Sequence, residues 1–376
     1  MSKKSAVILV ALLALSFLIV LFGTAKIRRK FPESGAFARK APVEAKYYDK
    51  LDKNRVKCRL CFRECVVNEG ERGFCRNREN REGKYYTLTY ARPCAVHVDP
   101  IEKKPLFHML AGSGVLSLAG AGCNFRCKYC NNWQISQNNI DDTTNYSLSP
   151  EDVVNLALKL HCPVVSFTYT EPTVSYEYMH DVFKLAKGKG LKTIFHTNGA
   201  MNQEALSELL DYTDAVVVDL KGFSNDFYGT ICSGRLGPVL QALKAIREKK
   251  VYFEIINLIV PSLNDDMQKI EGMCRWIVNN LSPDIPLHFN RFSPAYKLTN
   301  LPPTPTETLE KAYDIAVKSG LKFVYMGNCP SHRANSTFCP SCGKMLVKRV
   351  HFKVDENNIE NGRCKFCGQK IPGVWR

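Results

Sequence analysis

The chain has 376 residues, 45% of them hydrophobic, and a formal net charge of +16 at pH 7. This length suits one large domain with accessories or two ordinary domains, and the hydrophobic content excludes an intrinsically disordered chain. The charge fits a partner with phosphates, anionic lipid or an acidic protein. No basic stretch is interleaved with aromatic residues, so we do not expect nucleic acid as a partner.

The N-terminal segment predicts a membrane anchor over residues 1–30. Residues 6–25, AVILVALLALSFLIVLFGTA, carry no charge and as a helix would be ~30 Å long, enough to cross the hydrocarbon core. Basic residues flank this run on both sides: Lys3, Lys4, Lys26, Arg28, Arg29 and Lys30. The positive-inside tendency therefore predicts a single-pass membrane protein whose following domain is cytoplasmic. The alternative is a secretory signal, with Gly23 and Ala25 as a weak cleavage pattern.

A cysteine-rich segment follows a polar linker, and we assign residues 31–110 to the two together. It reads CRLCFRECVVNEGERGFC and contains four cysteines, here called the N-terminal quartet: Cys58, Cys61, Cys65 and Cys75. Their C-x2-C-x3-C-x9-C spacing is neither a usual zinc spacing nor the bacterial ferredoxin one. Zinc and a second iron–sulfur cluster both stay open. Close spacing suits metals better than disulfides, and metal-bound thiolates imply a reducing compartment.

A repeated pattern of strands and helices occupies residues 111–335. Short apolar, β-branched runs occur at 114–120, 164–170, 192–197, 215–220, 253–260, 286–292 and 322–327. Helix-like segments lie between them at 151–160, 174–188, 202–210, 237–249, 266–280 and 306–318. Apolar strands alternating with helices predict an α/β fold with a parallel sheet, here a partial (β/α)6 TIM-like barrel. Functional groups are then expected at the C-terminal ends of the strands.

Three cysteines follow the first predicted barrel strand in the sequence AGCNFRCKYCNNW. Cys123, Cys127 and Cys130, here called the triplet, have the spacing C-x3-C-x2-C. Three thiolates on a four-iron cluster would leave one iron open to bind and activate another molecule. The alternatives are a three-ligand zinc site, or a four-ligand site completed by His or Cys from elsewhere. The spacing favours the cluster.

Beyond residue 335 the pattern changes to a small module, residues 336–376. It contains two C-x2-C pairs, here called the ribbon quartet: Cys339, Cys342, Cys364 and Cys367. This is the spacing of a zinc ribbon, and so small a module needs a metal to supply the stability that its core lacks. We predict structural Zn2+, with a rubredoxin-like iron site as the alternative.

Five stretches carry a family resemblance: RLCFRECVVNEGERGFC, DPIEKKPLFHMLAGS, GAGCNFRCKYCNNWQISQ, TYTEPTVSYEY and CKFCGQKIPGVW. CNFRCKYC resembles the cluster motif of the radical S-adenosylmethionine (SAM) superfamily. The wider set resembles its AmmeMemoRadiSam branch, which is similar to pyruvate formate-lyase activating enzymes. The resemblance implies that the triplet ligates a [4Fe-4S] cluster and that SAM chelates the fourth iron. One electron would then cleave SAM, and the resulting 5′-deoxyadenosyl radical would abstract hydrogen from an unknown substrate.

The resemblance also implies contacts with SAM from the first two strand ends. Tyr129 would lie along the adenine, or alternatively pack under the loop. In TYTEP the glycines of the family motif are replaced by Tyr169 and Thr170, so only Glu171 and backbone groups of this stretch carry over. Glu171 would face the methionyl ammonium as a charge-assisted partner, or be a solvated residue at the strand end.

Later strand ends supply the remaining candidates. Asn198, in HTNG, would contact the ribose, whose hydroxyls need a group that donates and accepts; Asn-Gly is also an ordinary turn signal. Asp219 and Lys221, in DLK, would lie near the methionyl carboxylate, or form a structural ion pair. His288 and Arg291, in LHFNRF, are further candidates near a later strand end.

The partners implied by the resemblance are an electron donor such as flavodoxin or ferredoxin, and Memo-type and AMMECR-type proteins as candidates. Two functions fit it: hydrogen abstraction from an unidentified substrate, and activation of a glycyl-radical enzyme at a protein glycine. A different class is a non-catalytic iron–sulfur electron-transfer or interaction protein, although such carriers usually ligate every iron. A nucleic-acid modifier is suggested only by charge and the ribbon.

Overall fold

A computed structural model describes residues 42–329 and 332–375. The anchor predicted at residues 6–25 lies outside these ranges. Within them, no helix has the length and apolar character needed to cross a membrane.

Six short strands form two small antiparallel sheets ahead of the central sheet: β1 (Val43–Glu44), β2 (Tyr48–Lys50), β3 (Val56–Cys58), β4 (Val66–Val67), β5 (Arg78–Arg81) and β6 (Lys84–Thr87). One sheet has the order β2-β3-β4 and the other β1-β6-β5. In the first, the Cys58 amide donates to the Cys65 carbonyl at 2.9 Å. The β3–β4 hairpin therefore brings two members of the N-terminal quartet face to face.

Eight strands build the central sheet: β7 (Ala95–Pro100), β8 (Gly114–Ala119), β9 (Val164–Phe167), β10 (Lys192–Thr197), β11 (Ala215–Asp219), β12 (Tyr252–Ile259), β13 (Leu287–Arg291) and β14 (Val324–Gly327). They lie in chain order, with β8 to β14 parallel and β7 antiparallel to β8. The seven predicted strands are confirmed, and the α/β class with them. The sheet begins at Ala95, ahead of the expected domain boundary at residue 111.

The helices lie between the parallel strands: α1 (Trp133–Ser136), α2 (Pro150–Lys159), α3 (Tyr176–Gly188), α4 (Gln203–Leu210), α5 (Asn225–Phe227), α6 (Leu236–Glu248), α7 (Met267–Asn280) and α8 (Thr306–Lys318). A π turn, Tyr228–Cys232, follows α5. The six longer helices match the predicted segments. Local sequence explains their starts: Ser149 and Asp152 form a capping box ahead of α2, and Pro150 occupies its first turn.

The inner face of the sheet is filled by apolar side chains from successive strands, including Val115, Val164, Ile194, Val217 and Ile256. All four residues of β9 are buried. Strands covered on both faces have near-continuous apolar sequences, which is why these runs were recognisable without a structure.

The opposite, N-terminal end of the parallel strands is closed by a buried polar group, here called the floor cluster: His108, Glu254, His288 and Tyr325. Glu254 Oε2 lies 2.6 Å from His288 Nε2, and Glu254 Oε1 accepts from the His108 amide at 2.8 Å. His108 Nε2 is 2.6 Å from the Tyr325 hydroxyl. The expectation that His288 lies near a strand's functional end is therefore wrong, because it is the second residue of β13.

The C-terminal module contains β15 (Thr337–Phe338), β16 (Met345–Val350), β17 (Lys353–Asn357), β18 (Ile359–Glu360) and β19 (Arg363–Cys364). The tail after it returns to the floor: the Leu110 amide donates to the Val374 carbonyl at 2.9 Å, and the Val374 amide to the His108 carbonyl at 2.8 Å. A Cβ on Gly373 would lie 2.3 Å from the His108 oxygen. Glycine is therefore required for this close approach.

Candidate functional site

The triplet lies on residues 120–132, the triplet loop, which follows β8 at the C-terminal edge of the parallel strands. The backbone of this loop pairs with the π turn: the Arg126 amide donates to the Cys232 carbonyl at 2.8 Å, and the Lys128 amide to the Ile231 carbonyl at 3.0 Å. A Cβ on Gly234 would lie 2.6 Å from the Phe125 ring. Contacts within the protein therefore hold the loop in place.

Each triplet sulfur has a polar neighbour. Cys123 Sγ accepts from the Phe125 amide at 3.3 Å and from Asn198 Nδ2 at 3.9 Å, and Cys130 Sγ is 3.1 Å from Ser136 Oγ. Burial and the charge of Glu171 raise the pKa of the Cys123 thiol well above its usual value. A bound metal must therefore displace a tightly held proton. Once the thiols are deprotonated, the donors that point at sulfur stabilise the metal centre and influence its potential.

Cys232, which the sequence indicated only as an ordinary buried cysteine, lies directly beside the triplet. Its Sγ is 3.4 Å from the Tyr129 hydroxyl, and a hydrogen bond with it, followed by burial, raises the pKa of Cys127 well above its usual value. A fourth cysteine from elsewhere in the chain is therefore adjacent to the site. The contact with Cys127 packs the two thiols against each other beneath the loop.

Glu171 is buried, with 3% of its surface exposed, and its side chain links the C-terminal ends of β9 and β10. Its Oε1 accepts from the Thr173 hydroxyl at 2.6 Å and the Thr197 hydroxyl at 2.8 Å, and its Oε2 accepts from the Asn198 amide at 2.8 Å. The Thr173 amide also donates to Oε1 at 3.1 Å. The carboxylate thereby fixes the backbone that carries Asn198, and a solvated position is ruled out.

We expect Glu171→Ala to lower the free energy of unfolding by about 2–3 kcal/mol, because it leaves buried donors without the charged acceptor that they share. Urea denaturation of the full chain measures the change. Glu171→Gln, which keeps one acceptor oxygen and the side-chain volume, is the matched control and should lose less. Equal stability of Glu171→Ala and the parent protein would contradict this role.

Asp219 and Lys221 form an ion pair at the end of β11, with Lys221 Nζ 2.8 Å from Asp219 Oδ2. His196, on β10, adds a contact of 2.9 Å from Nε2 to Asp219 Oδ1. Burial opposes ionisation of Asp219, but the charges of Lys221 and His196 outweigh it and hold its pKa below the usual value. The pair is thus charged, and it lies on the strand next to the one that leads to Asn198.

The remaining predicted SAM contacts already have partners within the protein. Tyr129 is 5% exposed, and its ring stacks on Phe227 with centroids 6.3 Å apart, which agrees with the packing alternative. Thr170 Oγ1 donates to the Gly120 carbonyl at 2.6 Å. Asn198 Nδ2 donates to Asn124 Oδ1 at 2.7 Å. The structure therefore brings Thr170, Glu171 and Asn198 to the triplet loop.

The ribbon quartet has the geometry of a single-ion site. Cys339 Sγ lies 3.6 Å from Cys367 Sγ, and Cys342 Sγ lies 3.8 Å from Cys364 Sγ. A tetrahedral zinc with Zn–S bonds of about 2.3 Å requires sulfur separations of about 3.8 Å. Among the residues that the structure describes, this is the only group of three or more potential metal ligands drawn within 4.8 Å of one another. The quartet therefore fits Zn2+.

Sequence reasoning missed His196, Asn124, Ser136 and Cys232 as neighbours of the site. His196 belongs to the quoted HTNG stretch, and a systematic inspection of strand ends would have found it. Cys232 and Ser136 depend on a π turn and a one-turn helix that no periodicity indicates. Arg291 is the last residue of β13, in agreement with its predicted place near a strand end. Its Nε donates to the Thr304 carbonyl at 2.8 Å, so this guanidinium group already has a partner within the protein.

Several known proteins are similar to this chain. The sequence model described as the Radical SAM superfamily matches residues 118–277. An uncharacterised protein of Methanocaldococcus jannaschii is 46% identical over 333 residues, which cover 88% of this chain and 99% of that protein. A pyruvate formate-lyase-activating enzyme of Clostridium pasteurianum is 29% identical over 168 residues, covering 42% of this chain and 67% of that enzyme. The crystal structure of a domain of pyruvate-formate lyase-activating enzyme from Bacteroides vulgatus superposes with a TM-score of 0.38 and 19% identity, covering 44% of this chain and 98% of that one.

Proposed function

Because this chain belongs to the radical SAM superfamily, whose cofactors are a [4Fe-4S] cluster and SAM, we propose that it cleaves SAM reductively and abstracts hydrogen from a substrate. The observation that carries the proposal is the position of the triplet. Three buried or half-buried thiols share one loop at the C-terminal edge of the barrel, and polar groups from the next three strand ends lie around it. This donor set suits a cluster with one open iron.

The residues around the triplet divide into ligands, binding groups and positioning groups. A bound cluster supplies the electron that splits SAM into methionine and a 5′-deoxyadenosyl radical. The ammonium of Lys221, oriented by Asp219, is suited to pair with the methionyl carboxylate. Asn198 offers a carbonyl and an amide near the loop. Since the internal hydrogen bonds of Glu171 already involve both oxygens, we assign it to positioning Asn198 rather than to direct contact with the ammonium.

The substrate class has a second candidate, a glycine of a protein partner. The observation that favours it is the similarity to activating enzymes, which reaches 29% identity for the Clostridium pasteurianum enzyme. A glycyl-radical signal in the EPR spectrum of a partner protein, dependent on this chain and SAM, is the evidence that would select this candidate. Flavodoxin or ferredoxin is the proposed electron source, and Memo-type and AMMECR-type proteins are the proposed partners.

The experiment is anaerobic reconstitution of the protein without residues 1–30, followed by dithionite and SAM. We expect release of 5′-deoxyadenosine and methionine in equal amounts, since one cleavage yields one of each. Cys94→Ser, which changes a cysteine outside the three groups, is the control for general thiol loss. Failure to form any [4Fe-4S] cluster in a folded protein would contradict the proposal.

Membrane attachment through residues 6–25 is a further part of the proposed function. The uncharged run and its basic flanks support a single span with the barrel on the cytoplasmic side. A reporter fused after residue 46 should be accessible only from the cytoplasm. A reporter on the opposite side would overturn this topology, and release of the whole chain into the soluble fraction would exclude the anchor.

A further inference from the structure

The N-terminal quartet is folded directly against the triplet loop. A Cβ on Gly122 would lie 2.6 Å from the Cys75 carbonyl oxygen, so the two backbones are in contact next to Cys123. Asn77 Nδ2 donates to the Ala121 carbonyl at 2.9 Å. The cysteine-rich segment and the triplet loop therefore pack directly against each other.

Two guanidinium groups and one aromatic ring lie where the cysteine-rich segment meets the triplet loop. Arg63 and Arg126 lie over the Phe74 ring, 3.3 Å and 4.0 Å from its centroid. Arg63 Nε donates to the Asn124 carbonyl at 2.6 Å, and Arg126 Nη1 donates to the Cys123 carbonyl at 2.7 Å. Arg63 thus binds the triplet loop from the cysteine-rich segment, and Arg126, which belongs to the loop, contacts the cysteine-rich segment at Phe74.

The two guanidinium groups at this contact need anionic partners. Neither Arg63 nor Arg126 pairs with a carboxylate in the part of the chain that the structure describes. The groups whose ionisation would act on Arg63 are cysteines of both groups: Cys61 and Cys65 on one side and Cys123 on the other, each of them anionic only as a thiolate. Metal binding converts the thiols of the quartet and the triplet to thiolates. These anions would stabilise the partly buried guanidinium groups of Arg63 and Arg126.

Buried donors without acceptors also point at the quartet. Arg78 is 1% exposed, yet its Nε and Nη1 have no hydrogen-bond partner among the described residues. Cys58 and Cys75 lie close enough that their thiolates, once ionised, would act on this guanidinium. Asn124 is likewise 1% exposed, its Nδ2 has no oxygen or nitrogen acceptor, and its side chain lies within hydrogen-bonding reach of the Cys61 thiol. A group held by the quartet would satisfy these N–H donors, whose loss otherwise costs about 1–3 kcal/mol each.

The geometry points to an iron–sulfur cluster rather than zinc. The four sulfur atoms of the ribbon quartet lie within 4.8 Å of one another, as one zinc ion requires, whereas no three sulfur atoms of the N-terminal quartet do so. In a cluster each thiolate binds a different iron, and the inorganic sulfides offer additional acceptors for N–H donors. Zinc bound by four thiolates offers only the thiolate sulfurs.

We propose that the N-terminal quartet holds a second, fully ligated iron–sulfur cluster through which electrons reach the centre bound by the triplet. The role of this cluster in passing electrons to the triplet centre rests on the proposed function. One electron enters the second cluster from a reduced flavodoxin or ferredoxin and leaves it for the triplet centre. The second cluster is reduced and reoxidised once per SAM cleaved, with no net change.

Two full-chain variants test this. The triplet variant, Cys123→Ala/Cys127→Ala/Cys130→Ala, should keep about half of the parent's iron and a reduced-state EPR signal, while it releases no 5′-deoxyadenosine. The quartet variant, Cys61→Ser/Cys65→Ser, should lose the complementary iron. It should still release 5′-deoxyadenosine with dithionite, a small reductant, but not with reduced flavodoxin. Cys94→Ser should keep all the iron and both activities.

Several results would overturn the proposal. These are a second zinc in place of iron in the triplet variant, no metal other than the ribbon zinc in that variant, or undiminished flavodoxin-driven release by the quartet variant. Retention of the ribbon zinc and an unchanged circular dichroism spectrum show that a variant has folded. If the quartet variant does not fold, iron, sulfide and zinc counts on the parent protein and the triplet variant decide the assignment. A parent protein with both clusters but no SAM cleavage would refute the proposed function and still support the metal assignment.

Discussion

Cys127→Ala is expected to abolish 5′-deoxyadenosine release, with a fall of roughly a thousandfold or more, since enzymes accelerate reactions by about 10⁶-fold or more. The neighbouring thiol of Cys232 is expected to be dispensable for the reaction. The two cysteines are packed together beneath the triplet loop, so they share burial and surroundings. Only Cys127 lies in the C-x3-C-x2-C spacing that we assign to the cluster.

This pair of single variants separates a ligand from a packing residue. The measurements are iron content, the EPR signal of the reduced cluster and the initial rate of 5′-deoxyadenosine release under dithionite. Cys232→Ala should retain the cluster, and removal of its contact with Cys127 should change the spectrum rather than abolish it. If Cys232→Ala loses the cluster while Cys127→Ala keeps it, our assignment of the triplet is wrong.

Glu254→Ala is expected to lower the free energy of unfolding by about 3–5 kcal/mol, the usual loss when one partner of a buried polar pair is removed. Glu254 and His288 are both fully buried, and Glu254 also accepts from the His108 amide and the Tyr252 hydroxyl. The truncation leaves three donors without an acceptor at the floor of the barrel. Urea denaturation of the full chain measures the loss.

A double variant serves as the control for this prediction. Glu254→Leu/His288→Leu removes both partners and fills the space with apolar groups, so it should recover much of the lost stability. Because the floor cluster lies at the end of the strands opposite the triplet, SAM cleavage per folded molecule should change little in either variant. A double variant less stable than Glu254→Ala would show that the hydrogen bonds of His288 matter independently of Glu254.

The strand pattern could be predicted because each parallel strand is covered on both faces and therefore has a nearly unbroken apolar sequence, as in AVVVD at 215–219. β7 was missed because it is an edge strand whose exposed His97 and Val98 interrupt that pattern. The triplet was recognisable from spacing alone. Its neighbours Cys232 and Ser136 were not, since a π turn and a one-turn helix bring them to the site.

The same limit applies to the metal sites. Sequence spacing left zinc and a cluster equally open for the N-terminal quartet, because spacing along the chain does not give the separation of sulfur atoms. The contacts of Arg63, Arg78 and Asn124, which support our proposal of a cluster, each depend on the packing of the cysteine-rich segment on the barrel. The floor cluster could not be foreseen either, since it joins residues 108, 254, 288 and 325.

The return of the tail to the barrel floor has a consequence for biosynthesis. His108 is made early, yet its ring accepts or donates a hydrogen bond at the Pro372 carbonyl, 264 residues later. The floor can close only after residues 372–374 have left the ribosome, and contacts so distant in sequence form late and slowly. The ribbon quartet lies immediately before this tail, and we predict that its module needs Zn2+ to fold. If the quartet binds Zn2+, zinc supply determines when the tail can close the barrel floor.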